Sequence, residues 1–376
     1  MSLRRSARLG ALPTIKPLLP NPAPNAPRVR HSGVAKPRKT TTAKKAASKD
    51  PKKGTAQSES TYWSPEPSTV EDCTEDPDDK RATNDIPSSS RLTPPPLDRP
   101  VDPHRTNATL LTPHGSSVVA YPTSVEDASP SKTGLPRPAA TTGTLLEKAI
   151  AHLIATDPRL QTVIEQHPCP LFSPAGLAEQ IEPFNSLVSS IIGQQVSGAA
   201  AKSIRNKFVA LFDLTSGADG APLPHSRFPT PQEVAQCDIA TLRTAGLSQR
   251  KAEYVQGLAE KFAKGELSAQ MLARANDEEL VEMLTAVRGL GRWSVEMFAC
   301  FALKRIDVFS TGDLGVQRGC AAFVGRDVSK LKGKGGGKFK YMAEKDMLEL
   351  AAKFAPSLFM WYMWRIENVD VAVLTG

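Results

Sequence analysis

Apolar residues recur at helical spacing along most of the chain after residue 144. One apolar face covers 145–154, and a second comprises Phe184, Leu187, Val188, Ile191 and Ile192. This spacing predicts further helices at about 231–237, 241–246, 248–264, 277–286, 343–355 and 357–367. No stretch shows the sustained alternation that is typical of strands. The pattern therefore predicts an all-α domain over residues 141–376.

Turn and capping residues separate these helices. Gly193 ends the second apolar face, and Ser197 suits the N-cap of the helix that follows, so 193–197 (GQQVS) is predicted to be a tight turn. Asn276 and Glu279 resemble a capping box at the start of another helix. The segment 330–340 is rich in Gly and Lys, which is typical of a surface loop.

The first 140 residues have a different composition. They contain 22 of the 32 prolines and few large apolar residues, which is typical of disorder. We therefore predict a long disordered tail over 1–140, basic over 1–54 and acidic and Pro-rich over 55–140. Residues 1–54 carry a net charge of +13, whereas the whole chain carries +8, so the remainder is acidic overall.

A basic tail of this kind binds nucleic acid without sequence specificity. The clusters at 36–39 (KPRK) and 44–53 also indicate nuclear import. The alternative is a solvated linker without a specific role. From these clusters we expect a nuclear protein.

Several classes of protein are excluded. No run of 18 apolar residues is present, so we expect no membrane span. The N-terminus lacks the apolar segment of a secretory signal. The five cysteines show no metal-binding spacing, which fits a reducing compartment. All six histidines lie at or before His225, so a general base in the C-terminal third would be a carboxylate.

The most informative segment is a two-glycine turn within 284–296. Gly289 and Gly291 permit close approach of the backbone and positive φ, and a helix is predicted to start near Arg292. The unpaired N–H groups at such a helix start bind a phosphate without reading sequence. The alternative is an ordinary connection between two helices.

The motifs around this turn resemble those of a known protein superfamily. The sequence VRGLGRWS at 287–294, followed by DVFSTGDLG at 307–315, resembles the helix-hairpin-helix and the Gly/Pro-rich loop with its aspartate in the DNA glycosylase superfamily. The branch resembled is the alkylated-base type, the DNA-3-methyladenine glycosylases II of bacteria and fungi. The likeness covers nearly all of 144–368 and includes 193–197, 228–231, 246–252 and 361–365.

The resemblance implies a two-lobed helix-hairpin-helix glycosylase domain over 141–376 and a hydrolase of base excision repair. Such an enzyme flips an alkylated purine, such as 3-methyladenine or 7-methylguanine, out of duplex DNA. It then hydrolyses the N-glycosidic bond and leaves an abasic site. The implied partner is double-stranded DNA with alkylated bases. We expect a monomer and no required cofactor.

The resemblance assigns the catalytic carboxylate to Asp313. Elementary chemistry agrees, because breaking an N-glycosidic bond makes the sugar cationic, and a nearby anion stabilises that charge. Asp313 also precedes a predicted helix, whose dipole favours the anion. The alternative role is helix capping alone. Glu296 and Asp307 are lesser candidates that we expect to be surface or structural residues.

Aromatic residues are expected to form the base pocket. The resemblance assigns Trp293 and Trp364 to it, and Tyr362 is expected to assist. A tryptophan face suits a cationic alkylated purine, and cation–π stacking contributes about 2 kcal/mol when desolvated. In relatives that also cleave the strand, a lysine nucleophile occupies the position of Trp293. Tryptophan cannot form a Schiff base, which predicts simple hydrolysis. The alternative for all three aromatic residues is packing in the core.

DNA contacts are expected at the turn and at the hairpin. The resemblance places the side chain that fills the space of the flipped base at Gln195, with Gln194 as the other candidate. Alternatively, both glutamines only cap helix ends. The remaining expected DNA contacts are Ser197, Gly289, Gly291 and Arg292. Hairpins of this family often bind Na⁺ or K⁺ through backbone carbonyls, here those of Thr285, Val287 and Gly289.

The sequence also departs from its relatives. No cysteine follows Cys320, so no iron–sulfur cluster is expected, and the tail offers no equivalent of the bacterial N-terminal β-rich lobe. Two residues, including an arginine, are missing after Pro356, and this gap could rotate Trp361 and Trp364 away from the pocket. Two alternatives follow: a nuclear DNA-binding or scaffold protein with weakened catalysis, and an oxidised-base glycosylase/lyase, which would lack its lysine here.

Overall fold

The structure is a computed structural model that describes residues 97–124, 126–212, 227–332 and 339–366. The basic part of the tail, the nuclear-import clusters and most of the loop at 330–340 lie outside these ranges. Within them, every helix is too short or too polar to cross a bilayer.

Helices dominate the described residues. Their bounds are α1 (Pro130–Thr133), α2 (Leu145–Thr156), α3 (Leu160–Gln166), α4 (Pro174–Ala178), α5 (Pro183–Gly193), α6 (Gly198–Ala210), α7 (Pro231–Gln236), α8 (Ile239–Thr244), α9 (Gln249–Ala263), α10 (Ala269–Arg274), α11 (Asp277–Thr285), α12 (Arg292–Phe301), α13 (Leu314–Phe323), α14 (Val328–Lys332), α15 (Glu344–Ala352) and α16 (Phe359–Ile366), and a 3₁₀ turn covers Pro170–Phe172.

The helices predicted from apolar spacing are confirmed, because the same residues that repeat along the sequence are buried. Their ends also follow local chemistry. Ser197 accepts a hydrogen bond from the Ala200 N–H and begins α6. Asn276 and Glu279 form the predicted capping box at the start of α11. The all-α class therefore describes the domain well.

The helices surround two hydrophobic cores. The first core is built mainly from α5 to α11, and the second from α2, α3, α13, α15 and α16. Helix α12 belongs to both: Val295 and Phe298 enter the first core, whereas Met297 and Cys300 enter the second. A helix with apolar residues on two faces must be buried on both. Helix α12 therefore lies between the two cores.

Short strands are the main departure from the sequence prediction. They are β1 (Pro100–Val101), β2 (Thr109–Leu111), β3 (Ser117–Val118), β4 (Ala140–Thr141) and β5 (Gln180–Ile181). Strand β2 pairs antiparallel with β3 and parallel with β5, and β1 pairs with β4. Val101 and Leu110 are completely buried. The prediction of disorder is therefore wrong for residues 97–140, and the ordered domain begins well before residue 141.

Residues 97–111, which we call the N-terminal strap, are fixed to the rest of the domain by hydrogen bonds. Asn107 donates its backbone N–H to the Leu303 carbonyl (2.9 Å) and its side-chain amide to the Lys304 carbonyl (3.0 Å). Arg99 is buried and donates to the Leu177 carbonyl at 3.1 Å. Buried polar groups need such partners. The strap therefore holds the segment that follows α12, at Leu303 and Lys304.

Candidate active site

Asp313 lies at the start of α13, as predicted. Its Oδ1 accepts the Val316 N–H (2.9 Å) and the indole N–H of Trp364 (2.8 Å), and its Oδ2 accepts the indole N–H of Trp293 (2.9 Å). All three donors are uncharged. The side chain is half-buried. The carboxylate is thus held by directed hydrogen bonds from neutral groups, and none of the ion pairs among the described residues involves it.

Three separate elements meet at this carboxylate. Trp293 is the second residue of α12, Asp313 precedes α13, and Trp364 lies in α16. Helices α13 and α16 approach closely because Gly319 has no side chain at their contact: a Cβ built there overlaps the backbone carbonyl of Met363. The glycine therefore sets the position of Trp364 relative to Asp313.

The two residues missing after Pro356 do not remove Trp364 from the site. Helix α16 begins at Phe359 and places the Trp364 indole on Asp313. Phe301 stacks on the Trp364 ring at 5.6 Å between ring centroids with 15° between planes, and Trp361 meets the ring edge-on. The rotation of Trp364 that the gap could have caused is therefore not observed.

Tyr362 does not line this site. Its side chain is 0% exposed in the second hydrophobic core, where burial raises the pKa of the phenol. Two residues along an α-helix correspond to a rotation of about 200°, so Tyr362 and Trp364 face opposite sides of α16. The prediction that Tyr362 belongs to the base pocket is wrong.

Glu296 is a neighbour of the site. It lies on α12 one turn after Trp293, and its side chain accepts the Ser310 hydroxyl (2.5 Å) and the Arg292 Nε–H (2.9 Å). Ser310 is completely buried in the loop before Asp313. Glu296 is thus not a simple surface residue, and the sequence offered no signal for its contact with Ser310.

Asp307 has a structural position. Its Oδ1 accepts the Ser357 N–H at 3.2 Å, and its Oδ2 lies 3.5 Å from His104 Nδ1. Burial raises the pKa of this carboxyl, and the Ser357 hydrogen bond and His104 offset the rise only in part. The carboxylate secures the chain that leads into α16.

This raised pKa predicts a pH-dependent stability change for Asp307→Asn. A carboxyl whose folded-state pKa exceeds its unfolded value costs stability once it ionises, and the cost disappears below about pH 4. The Asn oxygen can still accept the Ser357 N–H. The urea midpoint of the variant should exceed that of the wild type at pH 7, and the difference should shrink towards pH 4.5. An equal difference at both pH values would contradict this explanation.

The hairpin has the predicted geometry. Gly289 has a φ of 95°, and a Cβ at this position overlaps the Tyr254 ring, so the turn requires glycine for two reasons. Gly291 is the N-cap residue of α12 and provides no side-chain cap. Arg292 points outward, with 77% of its side chain exposed. The start of α12 thus presents backbone N–H groups and a cation to solvent, as a phosphate site requires.

The turn between α5 and α6 lies against this hairpin. Gln194 donates its side-chain amide to the Gly289 carbonyl at 2.8 Å, whereas Gln195 is exposed and has a left-handed φ of 56°. Lys251 donates to the Ile192 and Gln194 carbonyls, both at 2.7 Å, and closes the turn from α9. The structure thus separates the two glutamines: Gln194 connects two loops, and Gln195 is exposed to solvent.

The carbonyl groups expected to bind a monovalent cation lie in the same hairpin. Carbonyl oxygens are suitable donors for Na⁺ or K⁺. The Gly289 oxygen accepts Gln194, and the Val287 oxygen accepts the Leu290 N–H at 3.2 Å, which leaves each one further lone pair. Thr285 is the last residue of α11. These carbonyl oxygens could therefore coordinate a monovalent cation, and the charge of that cation would attract a phosphate. The cation site stays a prediction.

Together, these features define a helix-hairpin-helix protein with a carboxylate held between two indoles. Comparison with known sequences agrees. The model of the HhH-GPD superfamily base excision DNA repair proteins matches residues 188–334. DNA-3-methyladenine glycosylase 1 of Schizosaccharomyces pombe is 32% identical over 227 residues, covering 60% of this chain and 90% of that protein. DNA-3-methyladenine glycosylase of Saccharomyces cerevisiae is 32% identical over 248 residues, covering 59% and 80%.

A solved structure, the DNA-3-methyladenine glycosidase of Bacillus halodurans, is 31% identical and covers 59% of this chain and 89% of its own, with a TM-score of 0.44. From the sequence relatives, the chain belongs to the HhH-GPD superfamily of base excision DNA repair proteins, in its DNA-3-methyladenine glycosylase branch.

Proposed function

We propose that this protein is a monofunctional DNA glycosylase that removes alkylated purines, such as 3-methyladenine and 7-methylguanine, and leaves an abasic site. The observation that carries the proposal is the position of Asp313 between the indole N–H groups of Trp293 and Trp364. The relatives named above are DNA-3-methyladenine glycosylases that share about a third of their residues with this chain.

The proposed reaction is hydrolysis of the N-glycosidic bond. The bond between the base nitrogen and C1′ breaks, and its electron pair leaves with the base. A water oxygen then bonds to C1′ and loses a proton. An alkylated purine is cationic before this step, so it departs as a neutral base and needs little help. The developing charge is on the sugar.

The carboxylate of Asp313 acts on that charge. Both of its oxygens already hold neutral donors, so the anion is fixed before the substrate arrives and needs no reorganisation. The lone pair that remains on Oδ2 can orient the attacking water. We therefore assign Asp313 the stabilisation of the cationic sugar and the positioning of water.

The indoles of Trp293 and Trp364 serve the base. Their N–H edges are directed at Asp313, which fixes each ring plane, and Phe301 supports one face of Trp364. A desolvated aromatic face attracts a cationic purine by about 2 kcal/mol. Because recognition depends on charge and stacking, we expect several alkylated purines to be accepted. The absence of an amine at position 293 excludes a Schiff base through that residue.

DNA binding is assigned to the hairpin and to the neighbouring turn. The hairpin N–H groups and Arg292 would hold the phosphate backbone, and Ser197 begins the other helix of this surface. Gln195 would fill the space of the flipped base, because it is exposed in the turn beside the hairpin. Gln194 supports both loops through the Gly289 carbonyl.

Gln195→Ala should therefore slow excision from duplex DNA by roughly tenfold, because the flipped state loses the side chain that fills the stack. Excision from single-stranded DNA should change little, since no stack needs filling. The measurement is the single-turnover rate of 7-methylguanine release from both substrates. An equal loss on both would place Gln195 outside the flipping step.

The experiment that tests the function is release of free base from methylated duplex DNA. Purified protein should release 3-methyladenine and 7-methylguanine, detected by chromatography, and leave alkali-labile abasic sites. Borohydride should trap no covalent adduct. Binding without release would instead identify a DNA-binding scaffold protein, and a trapped adduct would identify a lyase.

A further inference from the structure

Helix α12 holds the loop 310–313, which we call the catalytic loop, at two points. At the end of the loop, Trp293 donates to the Asp313 carboxylate. At its start, Glu296 accepts the Ser310 hydroxyl at 2.5 Å. Trp293 and Glu296 are three residues apart and therefore lie on the same side of the helix. The same helix face thus contacts both ends of the catalytic loop.

Ser310 is well placed to transmit this contact to the carboxylate. It is completely buried, its carbonyl accepts the Asp313 N–H at 3.3 Å, and its own N–H points at the Met360 sulfur at 3.3 Å. A hydrogen bond of this length restricts the positions of both groups that it joins. Movement of Ser310 would therefore shift the backbone from which the Asp313 side chain projects.

The other partner of Glu296 contributes little to this arrangement. The Arg292 side chain is 77% exposed, whereas that of Glu296 is 13% exposed. An i,i+4 ion pair with one solvated member stabilises a helix only weakly. Arg292 also belongs to the proposed phosphate contact. The buried bond to Ser310 is therefore the contact through which Glu296 would act on the site.

We propose that Glu296 is a positioning residue for base excision: through Ser310 it fixes the catalytic loop so that the Asp313 carboxylate faces the sugar. The proposal rests on the proposed glycosylase function. It concerns a residue that touches neither base nor sugar. Glu296 supplies a hydrogen-bond acceptor, so its charge is not needed and a glutamine oxygen can replace it.

Four variants of the full chain test this role. Glu296→Ala and Ser310→Ala each remove the bond from one side, the double variant removes both partners, and Glu296→Gln keeps an acceptor. Glu260→Ala is the matched control, because Glu260 forms an i,i+4 pair with Lys264 on α9 and has no such loop contact. Each variant is first compared with the wild type by circular dichroism.

The expected result is a loss of rate without a loss of binding. Glu296→Ala and Ser310→Ala should each slow single-turnover base release by roughly 10- to 100-fold, because small displacements of a reacting group have effects of this size. The Kd for abasic DNA should not rise, since neither substitution removes a proposed DNA contact. The double variant should match the single variants, because one bond is lost in each case. Glu296→Gln and Glu260→Ala should stay within about threefold of the wild type.

A second measurement does not depend on activity. The chain has four tryptophans, so ¹⁵N labelling of the indoles gives four N–H signals, and Trp293→Phe and Trp364→Phe assign two of them. Glu296→Ala should move the Trp293 and Trp364 signals in the same direction as Asp313→Asn does. Glu260→Ala should leave them in place. A protein that releases no base would disprove the glycosylase function, and these signals would still decide the role of Glu296.

Three outcomes would overturn the proposal. Unmoved indole signals in Glu296→Ala would show that the loop does not depend on this residue. A double variant with the product of the two single losses would show that Glu296 and Ser310 act separately. Failure of Glu296→Gln as complete as that of Glu296→Ala would show that the charge itself is required.

Discussion

Asp313→Asn should abolish base release while DNA binding persists. The single-turnover rate for 7-methylguanine should fall by roughly 10³-fold or more, because the substitution removes the negative charge that would stabilise the cationic sugar. Affinity for abasic duplex DNA should stay within a few-fold of the wild type, since the hairpin that would hold the backbone is untouched. Base release by chromatography and binding by fluorescence anisotropy measure the two quantities separately.

Asparagine at position 313 cannot keep all the hydrogen bonds that the aspartate accepts. Each carboxylate oxygen accepts an indole N–H, so the amide NH₂ of asparagine must face a donor on one side. The loss therefore combines removed charge with a broken bond to Trp293 or Trp364. Asp307→Asn is the matched control, because Asp307 is also a partly buried carboxylate and its contact is with Ser357. It should retain base release.

Turnover by Asp313→Asn close to that of the wild type would move the catalytic role to another residue. Loss of DNA binding together with activity would indicate a folding defect. Circular dichroism and the urea midpoint of the same preparation distinguish the second result from a loss of chemistry alone.

Gly319→Ala should impair both stability and catalysis. The added methyl group overlaps the backbone carbonyl of Met363, which cannot rotate away as a side chain would, so α13 and α16 must separate. Overpacking of this kind costs roughly 1–3 kcal/mol. Because Asp313 begins α13 and Trp364 lies in α16, their 2.8 Å hydrogen bond should lengthen or break. Urea unfolding measures the first effect, and single-turnover base release measures the second.

Gly257→Ala is the control for this prediction. Gly257 lies within α9 and is exposed, and a Cβ built there meets nothing within 4 Å. Alanine in an open helical position stabilises a protein by about 0.4–1 kcal/mol relative to glycine. The two glycine substitutions should therefore change the urea midpoint in opposite directions. Equal midpoints would show that the helix contact tolerates a methyl group.

Much of this site could be predicted from the sequence because its signals are local. Asp313 precedes an apolar helix and accepts the Val316 N–H three residues later, which is the usual N-cap geometry. The Gly289 turn is likewise a local feature, since its positive φ needs glycine. Trp293 follows from the same motif.

Other features depend on contacts between distant residues and could not be found in this way. The Glu296–Ser310 bond joins residues 14 positions apart in two different elements. The position of Tyr362 is decided by the second hydrophobic core, whose residues come from distant parts of the chain. The N-terminal strap was missed because strands of two or three residues are too short to show alternation.

The N-terminal strap has a consequence for the limits of the folding unit. The superfamily match covers 188–334, yet Leu110 fills the first core and Asn107 satisfies two carbonyls next to α12. A polypeptide that starts at residue 141 would lack Leu110, which leaves a cavity in that core. It would also leave the Leu303 and Lys304 carbonyls without the hydrogen bonds from Asn107. We therefore expect the smallest stable folding unit to start near residue 97, well before the residues that the superfamily model matches.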